Sequence, residues 1–190
     1  MKKLIVASGN KGKLKEIKEI LDGKYEIVSM TEAGFSGDIE ENGNSFYENA
    51  LIKAKTVSEA LGEDALADDS GLCVEALGGA PGIFSARYSG VGATAETNNQ
   101  KLLNALDGIL DRKAKFCCSV VLYKASGEII SGYGETEGSI LYKEEGDGGF
   151  GYDPLFYSND LQKPFGLCSD EEKNGVSHRF RALTDLFKKL

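Results

Sequence analysis

Several features that mark common classes of protein are missing from this 190-residue sequence. Its apolar stretches are no longer than a strand, which is too short for a helix that crosses a membrane. The opening residues, MKKLIVASGN, also lack the long apolar region and small-residue cleavage site of a signal peptide. We therefore expect a protein that is neither secreted nor inserted in a membrane, and we expect it in the cytoplasm.

Cysteine and histidine are scarce as well. The four cysteines form no C-x-x-C pair, and Cys117 and Cys118 are adjacent, which favours reduced core thiols over a disulfide framework. The single histidine, His178, excludes a histidine-rich zinc site. A hard ion with oxygen ligands, such as Mg²⁺, suits the carboxylate-rich loops better.

The net charge of −8 argues against a general nucleic-acid binder, because clustered basic surface is needed to hold a phosphate backbone. An anionic ligand would therefore need a local basic site. With 41% hydrophobic residues and neither a repeat nor a low-complexity linker, the chain suits one compact domain over residues 1–190.

The hydrophobic pattern alternates between strands and helices, which predicts an α/β protein with a mixed sheet flanked by helices. Strands are predicted at 2–7, 25–30, 114–123 and 128–138. Helices are predicted after the glycine loop at 9–12, after Ser45, at 94–106 and after Ser177. Ser45 with Glu48 has the spacing of a capping box. The segment at 65–77 is interpreted as two short strands around a tight turn at 68–71.

Two of the predicted helices begin with cations. These are Lys11, Lys13 and Lys15 in the first helix and His178, Arg179 and Arg181 in the last. Positive charge beside a helix N-terminus costs roughly 0.3 to 1 kcal/mol, so a bound anion such as phosphate would explain the pattern. The alternative is that these are solvated surface charges.

Acidic residues gather in a loop with Asp38, Glu40 and Glu41, and again at the adjacent Asp68 and Asp69. Neighbouring carboxylates repel each other, so at least one of them needs a cation, a hydrogen-bond network or a proton. A divalent ion would meet that need. The alternative for the pair is an ordinary Asx turn that caps backbone N–H groups.

The glycine loops do not match the common phosphate-binding motifs. No Walker pattern, GxxxxGK[ST], occurs in the chain. A G-x-G-x-x-G match at 146–151 is followed by Tyr152-Asp153-Pro154 where a Rossmann helix should begin, which argues against a dinucleotide site. Phe150, Tyr152 and Asp153 could instead present an aromatic face and a polar edge to a nucleobase.

Six segments of the chain resemble, in order, the motifs of the inosine triphosphate pyrophosphatase family, the dITP/XTP pyrophosphatases that remove non-canonical purine nucleotides. They are SGNKGKLKE at 8–16, ENGNSFYENALIKA at 41–54, ADDSGL at 67–72, GGAPGIFSARYSG at 78–90, GGFGYDPLF at 148–156 and EEKNGVSHR at 171–179. Together they run over nearly the whole chain, and jointly they are far more specific than any one of them.

The resemblance implies an elongated mixed β-sheet flanked by helices, with two lobes, an active-site cleft between them, and a homodimer. It also implies Mg²⁺-dependent hydrolysis of ITP, dITP and XTP to the nucleoside monophosphate and pyrophosphate, which keeps these nucleotides out of DNA and RNA. Neither a nucleic-acid polymer nor a membrane is expected as a partner.

Matching the motifs to this chain gives three groups of site residues. The triphosphate would be held by Ser8, Gly9, Asn10, Lys11, Gly12, Lys13 and Lys53. Mg²⁺ would be held by Glu41 and Asp69, and Asp69 would also be the proton acceptor. The nucleotide site would be completed by Ser70, Phe150, Gly151, Tyr152, Asp153, Lys173, His178 and Arg179.

On this basis we expect a water to attack the α-phosphorus in line, with Asp69, alone or together with Asp68, taking its proton. Lys13 and Lys53 would stabilise the departing pyrophosphate. Donors from His178 and Arg179 would read the purine 6-oxygen. Three alternatives are a pyrophosphatase for modified pyrimidines, a nucleotide sensor without turnover, and an ATPase that releases orthophosphate, which the missing Walker pattern disfavours.

Overall fold

The computed structural model describes residues 2–190. The strands are β1 (Lys2–Val6), β2 (Tyr25–Ser29), β3 (Ala65–Val74), β4 (Lys113–Tyr123), β5 (Ile129–Ile140), β6 (Phe156–Ser158) and β7 (Lys163–Pro164). The helices are α1 (Lys11–Ile20), α2 (Phe46–Leu61), α3 (Ala95–Ala105), α4 (Asp170–Asn174) and α5 (His178–Phe187). Across residues 2–190, no helix is both long and apolar enough to span a bilayer.

All seven strands belong to one sheet, in the order β2-β1-β3-β4-β5-β6-β7. Strand β1 pairs in parallel with β2 and β3, whereas β6 pairs antiparallel with β5 and β7. The mixed sheet with helices that the sequence predicted is therefore confirmed.

The chain divides into two compact units. Unit 1 holds the chain up to Asp69, Cys118–Gly134 and the chain from Arg179 onward; unit 2 holds Ser70–Cys117 and Glu135–His178. The chain thus passes between the units within β3, β4 and β5, and again at the start of α5. The single domain over 1–190, its two lobes and the cleft between them stay predictions.

Strand β1 in unit 1 is buried on both of its faces. Leu4 and Val6 belong to a core cluster that includes residues of α1 and α5, whereas Ile5 and Ala7 belong to a second cluster with residues of α2. Successive side chains of a strand point to opposite faces, so both sets are covered by helices. A parallel strand buried on both faces has an unbroken apolar sequence, which explains the run KLIVAS.

The core of unit 2 is built around aromatic rings. The ring centroid of Phe116, on β4, lies 4.6 Å from that of Phe156 on β6. Phe156 lies 5.1 Å from Phe165, just after β7. These contacts hold the short strands β6 and β7 against β4, and they fix the end of the glycine-rich segment at 144–155 that leads into β6.

A side-chain cap begins α2 where the sequence predicted it. The N–H of Glu48 donates to Ser45 Oγ at 3.1 Å at the start of α2. The Glu48 carboxylate accepts from the N–H of Asn44 at 2.7 Å, one residue before the cap, so the second half of the predicted capping box is shifted. Ser169 and Glu172 form a complete capping box at α4.

The predicted turn at residues 68–71 is wrong, and with it the Asx-turn alternative. Strand β3 runs unbroken from Ala65 to Val74, with Asp68 and Asp69 in its middle. Consecutive strand residues point to opposite faces, so the two carboxylates are not forced side by side. Pairing with β1 and β4 on either side overrides the local turn preference of the sequence.

The parallel pairing of β1 and β3 positions the segments that carry charge. Val6 pairs with Leu66, so the chain reaches Ser8 and Asp68 two residues beyond the same rung. Helix α1 begins shortly after Ser8. The N-terminus of α1 and the carboxylates of β3 therefore meet at one edge of the sheet, where ligands of α/β proteins commonly bind.

Candidate active site

The loop after β1 leads directly into α1 and exposes the helix N-terminus. Ser8 Oγ accepts a hydrogen bond from the N–H of Asn10 at 3.1 Å. Asn10 Oδ1 caps the helix by accepting from the N–H of Lys13 at 3.1 Å. Gly9, Asn10 and Lys11 are exposed. Helix N–H groups with lysines around them form an anion-binding arrangement, as the sequence predicted for residues 8–13.

Asp68 is 1% exposed and collects cations from two helices. Lys13 Nζ lies 3.2 Å from Asp68 Oδ2, and Arg179 donates to the same oxygen from Nε at 3.2 Å and from Nη2 at 3.0 Å. Arg179 Nη1 donates to Glu16 on α1. Burial lowers the pKa of Arg179 to about 9. The cations that open the first and the last predicted helix thus meet on one carboxylate.

Asp69 has fewer contacts with cations than Asp68. Lys53 Nζ lies 3.4 Å from Asp69 Oδ1, and Asn49 Nδ2 donates to Asp69 Oδ2 at 3.2 Å. Burial raises the pKa of Asp69, although the charges of Lys53 and Lys13 oppose the change. A carboxylate with a raised pKa and weakly held oxygens is suited to accept a proton.

Glu41 and Asp69 are the oxygen donors that the sequence predicted for Mg²⁺, and both lie beside Lys53. The Lys53 ammonium donates to Glu41 Oε2 at 2.8 Å. Burial acts to lower the pKa of Lys53, but Asp69, Asp68 and Glu41 outweigh it and the net shift is upward. In the described part of the chain, no three His, Cys, Asp or Glu side chains gather into a metal-ligating cluster.

Two carboxylates that already converge on one cation fit a hard divalent ion. Such an ion takes oxygen ligands, and Mg²⁺ is commonly bound by one or two carboxylates while waters and substrate phosphates supply the rest. The donor set of Glu41 and Asp69 therefore suits the predicted ion.

In unit 2, Asp153 and Lys173 form a buried ion pair. Lys173 Nζ donates to Asp153 Oδ2 at 2.6 Å, and the N–H of Phe150 donates to the same oxygen at 2.8 Å. Burial raises the pKa of Asp153, while the Lys173 charge opposes the change. Lys173 Nζ also lies 4.6 Å from the centroid of the Phe150 ring. A Cβ at Gly149, whose φ is +70°, would collide with the Asp153 carboxylate, so the loop needs glycine there.

Tyr152, which the sequence offered as an aromatic face, is buried in the core of unit 2. Its hydroxyl donates to the carbonyl of Ser85 at 2.6 Å, and burial raises its pKa. Phe150 is only half-buried, so it is the better candidate for contact with a planar ligand. The neighbouring Gly151 is held through its carbonyl, which accepts from Asn99 Nδ2 at 3.2 Å.

Two further predicted residues lie where the chain passes between the units. His178 is buried, and its ring stacks on Phe116 with 4.9 Å between centroids. Ser70 follows Asp69 in β3 and is half-buried. His178 is bonded directly to Arg179, and Ser70 directly to Asp69, so each adjoins a residue of the charged group in unit 1.

Sequence reasoning missed two residues of the site, Glu16 and Asn49. Glu16 accepts from Arg179, and Asn49 links Asp69 to the N–H of Gly43, which donates to Asn49 Oδ1 at 2.9 Å. Both are buried. A signal existed for Asn49, because it lies one helical turn from Lys53 on the apolar face of α2, where polar side chains are rarely buried without a partner.

Comparison with known proteins identifies close relatives over the full length of the chain. A model of the Ham1 family matches residues 4–189. A dITP/XTP pyrophosphatase of Clostridium tetani is 44% identical over 100% of this chain and 96% of the relative. That of Bacillus subtilis is 42% identical over 100% of this chain and 98% of the relative.

Solved structures agree with these relatives. The Ham1 protein of Staphylococcus aureus superimposes with a TM-score of 0.87 at 39% identity, covering 99% of this chain and 98% of that one. A HAM1 protein from Coxiella burnetii gives a TM-score of 0.88 at 41% identity, covering 100% of this chain and 98% of that one.

Proposed function

The chain belongs to the Ham1 family, and we propose that it is a Mg²⁺-dependent pyrophosphatase of non-canonical purine nucleoside triphosphates. Its substrates are ITP, dITP and XTP, and its products are the nucleoside monophosphate and pyrophosphate. Relatives at 44% and 42% identity carry the name dITP/XTP pyrophosphatase. The observation that carries the proposal is the meeting of Lys13, Lys53 and the two carboxylates of β3 beside the N-terminus of α1.

The triphosphate is bound by residues 8–13 and Lys53. The N–H groups at the start of α1 and the exposed Lys11 supply positive charge to the phosphate oxygens. Lys13 and Lys53 are positioned to exchange part of their contact with Asp68, Asp69 and Glu41 for the pyrophosphate, whose negative charge grows as it departs. These residues favour the transition state because their positive charge is already in place.

Asp69 takes the proton of the attacking water. It has a single cation contact, from Lys53, and one hydrogen bond from Asn49, and these together with its raised pKa support this role. Asp68 is held by Arg179 and Lys13, and we assign it the role of fixing these two cations. Glu41 and Asp69 hold Mg²⁺, which neutralises charge on the phosphate chain when it is bound.

The base is bound by the loop at 150–153, with Phe150 providing the stacking face and the Asp153–Lys173 pair fixing the loop. All three side-chain nitrogens of Arg179 are engaged by Asp68 and Glu16. We therefore assign to His178 the hydrogen bond to the purine 6-oxygen. Ser70 is assigned to the site of the same nucleotide. A site that donates a hydrogen bond to the 6-oxygen rejects adenine, which carries an amino group there.

The test is incubation of the purified protein with ITP, XTP, GTP and ATP, with and without Mg²⁺, followed by chromatographic identification of the products. We expect the monophosphate and pyrophosphate from ITP and XTP, only with the metal, and little product from ATP. Release of orthophosphate would identify an ATPase, and binding without products would identify a sensor. Turnover of modified pyrimidine nucleotides in preference to ITP would point to the related house-cleaning enzymes.

Two further properties belong to the same proposal. We propose that the protein is a homodimer, which light scattering after size-exclusion chromatography would test. We also propose that Mg²⁺ is the physiological ion; its replacement by Ca²⁺, which prefers larger and looser oxygen cages, should abolish turnover.

A further inference from the structure

We propose that Asn99, on α3, is a positioning residue for the loop at 148–153 and thereby sets how tightly and how selectively the nucleobase is held. The inference rests on the proposed function, because that function assigns residues 150–153 of this loop to the base. The hydrogen bonds of the Asn99 side chain go to Glu144 and Gly151, which belong to unit 2 like Asn99 itself.

One amide nitrogen of Asn99 ties together two points of the glycine-rich segment. Asn99 Nδ2 donates to the carbonyl of Gly151 at 3.2 Å and to Glu144 Oε1 at 2.6 Å. Between these two points lie Gly146, Gly148 and Gly149, which allow many backbone conformations. The donated hydrogen bonds therefore restrict a segment that its own sequence leaves loose.

The preceding residue of α3 performs a different task. Asn98 Nδ2 donates to the carbonyls of Ser85 and Ala86 at 3.3 and 3.2 Å, and Asn98 Oδ1 accepts from the N–H of Ser89 at 2.8 Å. Asn98 thus holds the 85–89 loop, and Asn99 alone of the two reaches the segment at 144–151.

Packing does not account for an amide at position 99. Asn99 is 3% exposed, and within residues 2–190 its Oδ1 atom is buried without a hydrogen-bond partner, which costs stability. Leucine has the same branching and the same number of side-chain heavy atoms, although it is larger, and it would avoid that cost. Both hydrogen bonds of Asn99 are only partly buried, because Glu144 is an exposed residue and Gly151 is half-buried. The amide therefore serves the geometry of the loop more than the stability of the fold.

The decisive variant is Asn99→Leu, with Asn104→Leu on the exposed side of α3 as its matched control. We expect the KM for ITP to rise roughly 10-fold and the ratio of kcat/KM for ITP to that for ATP to fall by a similar factor, from the loss of one positioning hydrogen bond. We expect kcat for ITP to stay within about twofold, because the phosphate-binding residues are untouched. The melting temperature should be unchanged or slightly higher.

A second variant, Glu144→Gln, removes only the charge of Glu144, because the glutamine carbonyl oxygen still offers an acceptor to Asn99 and the bond to Gly151 stays in place. It should retain the selectivity of the wild type. Loss of selectivity in Glu144→Gln as large as in Asn99→Leu would overturn the assignment to Gly151.

Two results would overturn the inference as a whole. One is a parallel fall of kcat/KM for ITP and ATP with a lower melting temperature in Asn99→Leu, which is the signature of a purely structural residue. We expect the amides at 148–153 to exchange hydrogen faster in Asn99→Leu than in Asn104→Leu. Equal exchange rates in the two variants would be the second overturning result. Hydrogen exchange needs no substrate, so it decides the contact to the loop even if the wild type releases no pyrophosphate and the proposed function fails.

Discussion

Adjacent aspartates on the two faces of β3 differ in burial and in the number of cations that contact them. On one face Asp68 is 1% exposed, and a single oxygen accepts from Arg179 twice and lies within 3.2 Å of Lys13. On the other face Asp69 is 8% exposed, and its two oxygens have one contact each, at 3.4 and 3.2 Å. A carboxylate bound this tightly by cations is part of the scaffold, whereas one bound loosely is available for chemistry.

The largest effect is expected from Asp69→Asn, which should lower kcat for ITP by about 10² to 10⁴-fold because a general base is lost. The free energy of unfolding should change little, since asparagine has the same shape and can still accept from Asn49. Pyrophosphate release and thermal unfolding measure the two quantities. Near-normal turnover would contradict the assignment of Asp69, and Asp68→Asn is the matched comparison, in which stability should fall as well.

The second-largest effect is expected on the free energy of unfolding when Arg179 is replaced. Arg179→Met should lower the free energy of unfolding by about 3 to 5 kcal/mol, because Asp68 and Glu16 would be left buried without their counter-ion. Urea denaturation followed by circular dichroism measures the change, with the exposed Lys188→Met as control. A loss smaller than about 1 kcal/mol would mean that Lys13 alone is enough to balance Asp68.

Asn49→Leu tests whether the Asp69 carboxylate needs the hydrogen bond from Asn49 to be oriented for catalysis. Without the amide, Asp69 loses one of its two contacts and the N–H of Gly43 loses its acceptor. We expect a roughly 10-fold lower kcat and a loss of stability of about 1 to 3 kcal/mol. The exposed Asn44→Leu should change neither quantity. Unaltered kcat in Asn49→Leu would show that Lys53 holds Asp69 without help.

The smallest effect is expected at Lys15, which is next to the buried Glu16 in sequence but is itself exposed. Lys15 Nζ lies 3.8 Å from Glu19 Oε1, and the side chains are 61% and 36% exposed. Lys15→Ala should change the free energy of unfolding by less than about 0.5 kcal/mol and leave kcat unaltered. Lys13→Ala on the same helix should lower kcat. Similar kcat values for the two variants would contradict the different roles given to Lys13 and Lys15.

Local patterns were enough to predict most of the fold. The apolar run of β1, the helical spacing after it and the cap of α2 each depend on residues within one or two turns. The interpretation failed at β3, where the local sequence favours a turn but the neighbouring strands β1 and β4 impose an extended chain. Strand pairing over long sequence distances cannot be read from a single segment.

The sequence was enough to predict most of the residues that form the candidate site, but not which role each of them has. Lys13 and Arg179 were singled out as cations that require an anion, and the anion they meet within the protein is Asp68. The spacing of Asp68 and Asp69 does not distinguish them, and only the family resemblance singled out Asp69 as the metal ligand and proton acceptor. Their difference comes from α1 and α5 on one side and from α2 on the other, which only the folded chain reveals.

The core of unit 1 joins two elements that lie far apart in the sequence, β1 and α5. Leu4 and Val6 of β1 lie in the same cluster as Ala182, Leu183 and Leu186 of α5. Because α5 is synthesised long after β1, this face of β1 is covered only in part, by Ile17 of α1 and Leu21 just after it, until α5 has been made. Arg179 lies on α5 as well, so its contact with Asp68 also forms only after that helix has left the ribosome.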